Sequence, residues 1–67
     1  MTDYVIAKVL SRKGETLAQE ECPINVWNRE DMVQTCGLTI VHVVDAARAR
    51  GFDARECSFT FSFETRE

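Results

Sequence analysis

Sixty-seven residues are enough for one domain, and a chain this short buries only about 60% of its extended surface, so its core must be compact. With 45% hydrophobic and 28% charged residues, the composition is that of a folded globular protein and excludes a disordered one. The net charge of −3, from eleven acids against eight bases, argues against a general nucleic-acid binder, which carries a basic surplus.

The compartment follows from what surrounds the elements. No basic stretch followed by an apolar one opens the chain, and the longest apolar run is broken by His42, far short of a membrane span. A cytoplasmic protein is expected. Cys22, Cys36 and Cys57 are odd in number and form no CxxC pair, so neither a disulfide framework nor a redox motif is indicated. With His42 they lack the clustered spacing of a zinc site. They read as small buried hydrophobes, and no metal or cofactor is expected.

Tyr4 to Ser11 alternates and is rich in β-formers, which predicts a first strand. Arg12-Lys13-Gly14 supplies a hairpin turn, with Gly14 free to take a positive φ. Glu15 to Cys22 returns as a second strand whose Gln19, Glu20 and Glu21 suit a sheet edge. Pro23, lacking an amide hydrogen, interrupts the ladder. Ile24 to Trp27 then either extends the strand or links it to a helix.

Asn28 to Gly51 predicts the one long helix. Asn28 suits the N-cap, Asp31 a partial capping box, and Trp27 with Met32 a hydrophobic staple. Gly51 suits the left-handed position after the last turn. Val33, Cys36, Ile40, Val44 and Ala47 share one face, widened by Met32, Val41 and Val43, with Thr35, Leu38, His42, Asp45 and Ala49 opposite. Gly37 and the β-branched residues around it lower helix propensity, so packing must hold the segment helical. After a connector, Phe52 to Arg55, the stretch Glu56 to Thr65 predicts the last strand. Cys57, Phe59, Phe61 and Phe63 lie on one of its faces and Ser58, Thr60, Ser62 and Glu64 on the other.

The order strand, strand, helix, strand implies a single two-layer α+β domain over residues 1–67. Its three-stranded antiparallel sheet takes the order 2-1-3, with the helix packed on one face. An order of 1-2-3 would need a parallel pairing of the second and third strands, a less common arrangement. In the expected core, Phe59, Phe61 and Phe63 meet Ile40, Val44 and Ala47. Val5, Ala7 and Val9 facing the helix would turn Tyr4, Ile6, Lys8 and Leu10 outward as an apolar patch open to a partner or a second copy. The topology also gathers Arg12, Lys13, Arg48, Arg50 and Arg55 into a basic pole. Glu20, Glu21, Glu30 and Asp31, with Asp3, Glu64 and Glu67, form an acidic one.

Enzymatic chemistry has little to stand on. His42 is the only histidine and has no base or nucleophile beside it; neither a phosphate-binding glycine loop nor GxSxG occurs. A helix-turn-helix with Gly37 in its turn would strand Val41, Val43 and Val44 with no third helix to cover them. The expectation left is a small non-enzymatic protein-binding module, with a homodimer within reach, that docks by its open sheet face or a charged pole. Inhibitors encoded by phages and mobile elements, including anti-CRISPR and anti-restriction proteins, are of this class. The alternative is a small regulatory protein that binds nucleic acid through the basic pole.

Overall fold

β1 (Thr2–Leu10) and β2 (Thr16–Ile24) form a hairpin whose turn is built from its own polar groups. Gly14 takes a φ of 86°, its amide donates to the Ser11 carbonyl at 2.9 Å, and Ser11 Oγ accepts from the amides of Lys13 and Glu15. The computed structural model behind this description covers residues 1–67, apart from the side chain of Ala54. A 21-residue helix, α1 (Arg29–Ala49), follows, then a 3₁₀ turn over 54–56 and β3 (Ser58–Arg66). The sheet is antiparallel in the order β2-β1-β3, with α1 on one face, the two-layer α+β arrangement expected.

The first two strands each run one residue longer than anticipated, while β3 starts two residues later and ends one later. β1 begins at Thr2, and β2 passes through Pro23, which sits opposite Tyr4, to Ile24. A proline is tolerated there because β2 is an outer strand and the missing donor can face solvent. Near its start β2 carries a bulge: Val9 pairs with Ala18 but Leu10 with Thr16, leaving Leu17 unpaired. The bulge turns Leu17 into the core.

Both helix ends follow local chemistry. Asn28 accepts from the Asp31 amide at 3.1 Å, as an N-cap should. The Asp31 carboxylate reaches past the cap to the Asn25 amide at 2.7 Å and accepts from Thr35 Oγ1 at 3.2 Å, so it ties down the turn before the helix. That turn throws Trp27 outward, 92% exposed, and the expected staple with Met32 does not form. At the other end Gly51, with φ 89°, donates to Arg48 and Phe52 donates to Ala47, a Schellman motif with Phe52 packed against the core.

Between these ends the helix runs unbroken past Gly37, and its inner face keeps the Val43, Val44 and Ala47 part of the expected stripe but not the rest. Thr39, Val43 and Ala47 are buried, while Val33 is 68% exposed and Ile40 is exposed too. The physical reason is Thr39. Its hydroxyl donates to the Thr35 carbonyl one turn back at 2.6 Å, so its methyl can enter the core with no unmet polar group. This rotation sets α1 across β1 and β2, leaving β3 to one side. The core is Val5, Ala7, Val9, Leu17, Val43 and Ala47, with Ile24 also buried. The three β3 phenylalanines share the helix side of the sheet but lie outside this core, 46%, 42% and 51% exposed at 59, 61 and 63. A helix about 10–12 Å across spans two strands spaced about 4.8 Å apart, and here the third is left uncovered.

Candidate functional site

The sheet face away from α1 carries Tyr4, Ile6, Lys8 and Leu10, as expected. Ile6 is nevertheless only 9% exposed, because cross-strand neighbours Glu21 and Ser62 flank it. Arg66 spans the lower end of this face. Its guanidinium lies 4.6 Å from the Tyr4 ring centroid, pairs with both Glu21 oxygens at 3.1 Å and reaches Glu64 at 3.0 Å. The hydrogen bonds from Arg66 hold the Glu21 carboxyl below the usual carboxylate range, and those to Glu21 and Glu64 raise Arg66 further. What faces solvent at that end is a polar network laid over the tyrosine ring.

The hairpin turn, the helix C-terminus and the 3₁₀ turn meet at one end, where Ser11, Arg12, Phe52, Asp53 and Glu56 line a shallow pocket. Of the five cations grouped there, Arg12, Lys13 and Arg48 are exposed and make no ion pair among the described residues. Arg50 donates to the Leu17 carbonyl at the bulge and lies 5.6 Å from the Phe52 ring. Arg55 pairs with Asp53 at 3.0 Å, and its hydrogen bonds hold the Asp53 carboxyl below its ordinary range. Asp53 and Glu56 interleave acid with this basic end. At the other end Glu30 is exposed, Glu20 half-buried, Glu21 held by Arg66, and Asp31 engaged in the helix cap.

His42 is exposed on α1 and the three cysteines are half-buried thiols. Cys57 Sγ donates to the Asp53 carbonyl at 3.3 Å. Among the described residues, no three His, Cys, Asp or Glu side chains come together as a metal site.

The surface that sequence reasoning missed lies between α1 and β3. Ala7, Ile40, Val43, Val44, Phe59 and Phe61 line an apolar cleft whose floor is β1 and whose walls are the helix and the phenylalanines. Val33, Gly37, Ile40 and Val44 share this flank of α1 by helical spacing, and a Cβ added at Gly37 would meet no atom within 4 Å. Phe63, paired with Val5, continues the aromatic row toward the helix N-terminus. The signal was available in the strand count: an apolar face three strands wide exceeds what one helix covers.

Comparison with protein families, with characterised proteins and with solved structures finds no match to this chain.

Proposed function

We propose that this chain is a small non-enzymatic protein-binding module that acts in the cytoplasm by occupying a surface of another protein. Inhibitors encoded by phages or mobile elements are the class this reading points to. The observation that carries it is the uncovered cleft between α1 and β3, where three phenylalanines and Ile40 present apolar surface to solvent. The largest contiguous apolar patch on a small protein is often its functional surface. The cleft is a stronger docking candidate than the Tyr4–Leu10 face, where Ile6 is nearly buried and Arg66 overlies Tyr4. It is also stronger than the basic pole, where Arg50 and Arg55 are engaged and acids intervene.

The test is to use the tagged chain as bait in lysate of its native host, beside three variants. F61K and I40K place a charge in the cleft; R12E/K13E reverses the basic pole. A protein retained by the native chain and R12E/K13E, and lost with F61K and I40K, supports the reading. Retention by the cleft variants would move docking elsewhere. Salt-sensitive binding of duplex or single-stranded nucleic acid that R12E/K13E abolishes would replace this reading with the nucleic-acid one.

A further inference from the structure

The two edges of the sheet are treated differently. β2 carries Pro23, a bulge at Leu17 and acids at Glu20 and Glu21, all devices that discourage a further strand. β3 carries none of them between Ser58 and Phe63. Those six residues alternate hydroxyl and phenyl side chains with no charge, no proline and no register shift against β1. Alternate residues of an outer strand direct N–H and C=O groups away from the sheet, so β3 offers an unguarded ladder beside an uncovered aromatic row.

We propose that the occupant of this edge is a second copy of the same chain, pairing β3 with β3 antiparallel about a twofold axis through Phe61. The proposal rests on the reading of the cleft as an interaction surface and names its partner. Three observations favour a second copy over an unrelated chain. The first is the register. An axis at Phe61 sets that residue against itself and Phe63 against Phe59 of the second copy, so every phenylalanine gains an aromatic neighbour on the same face.

The second is charge. The same register sets Ser62 against Thr60 of the second copy and Glu64 against its Ser58, so no like charges oppose one another. At the strand ends, Arg66, already held by Glu21 and Glu64, lies toward Glu56 of the second copy and Arg55 toward its Glu67, so opposite charges meet there too.

The third is area. A whole aromatic side chain offers roughly 200 Å². The rings are between 42% and 51% exposed, so the three present roughly 300 Å² per copy and about 600 Å² in the pair. That is about half the roughly 1,200 Å² at which stable interfaces begin. The outer edge of a nine-residue strand and the neighbouring Ile40 and Val44 are there to supply the remainder.

The experiment is sedimentation equilibrium of the full chain over a wide concentration range, beside F61K, with circular dichroism to confirm that the variant retains its helix. The native chain is expected at twice its 7.6 kDa mass and F61K at one mass. Hydrogen exchange on the native chain needs no variant. The alternate amides between Phe59 and Thr65 that point away from β1 should be protected at high concentration and lose that protection on dilution, while those bonded to β1 and those of β2 stay unchanged. A native chain at 7.6 kDa throughout overturns the proposal. If that monomer still captures a host protein through the cleft, only the second copy is wrong; if it captures nothing, the binding reading falls with it. A pair that persists in folded F61K, or exchange that ignores dilution at β3, also overturns the proposal.

Discussion

The rotation of α1 can be tested by one chemical change made at two places. Val33 and Val43 lie on the same helix, and sequence periodicity puts Val33 in the inner stripe and Val43 at its margin. Val43 is 1% exposed and Val33 is 68% exposed. Val43→Ala removes two buried carbons, about 1.6 kcal/mol at about 0.8 kcal/mol per carbon. The space left behind adds about 1 kcal/mol if the neighbours do not collapse into it, so the total is about 2–3 kcal/mol. Val33→Ala removes little buried surface and replaces a β-branched residue by the best helix former, so its effect should lie within about 0.5 kcal/mol of zero.

For a domain of this length the whole stability is about 3–10 kcal/mol. The first substitution therefore removes a large fraction of it and the second almost none. Urea unfolding followed by circular dichroism reads both, the midpoint moving while the slope stays constant. The corresponding fall in Tm for Val43→Ala is about 10–20 °C, at about 4–8 °C per kcal/mol. Equal costs at the two sites, or a greater cost at Val33, would refute the placement of Thr39, Val43 and Ala47 against the sheet.

Other consequences follow from features already described. Thr39→Val should change stability by less than about 1 kcal/mol, since the lost bond to Thr35 is offset by burying a methyl in place of a hydroxyl; Thr39→Asp should prevent folding, and urea titrations separate the two. Gly51→Ala should cost about 1–2 kcal/mol, because φ is 89° and a Cβ meets the following carbonyl oxygen there, read as an earlier urea midpoint. Arg66 holds the folded pKa of Glu21 below its ordinary value of about 4.5, so its contribution is fully present above pH 4.5 and fades as pH falls through the lowered value. Glu21→Gln should accordingly flatten part of the acid limb of a pH–stability curve while leaving the neutral-pH fold unchanged by circular dichroism.

Where structure depended on a residue's own neighbours, it could be read from the chain. The hairpin at Gly14, the cap at Asn28 and the Schellman end at Gly51 each follow from a preference exercised within about one turn, and the strand order follows from their sequence. What escaped depended on partners distant in sequence. Thr39 looks polar until its hydroxyl is satisfied one turn back, and leaving it out of the inner face shifts the apparent stripe toward Val33 and Ile40. Pro23 looks like a stop signal, yet the outer position expected of β2 lets the strand run through it. Trp27 looks like half of a staple until Asp31 holds the Asn25 amide and fixes the approach of the chain. The cleft was legible only from the strand count, since nothing in the phenylalanine alternation itself says whether a helix lies above it.

The proline and bulge of β2 also bear on how far association can go. Contacts that add copies end to end need two receptive surfaces on each molecule, and repetition of such contacts produces filaments. Here only one margin of the sheet is receptive, and the other is blunted within the same strand that builds the core. Whatever strand joins at β3 consumes the only unguarded margin of the sheet, so growth by strand addition terminates after a single event. Removing all of that protection together, the proline, the bulge and the acids, would give each molecule a second receptive margin and turn a closed reaction into an open-ended one.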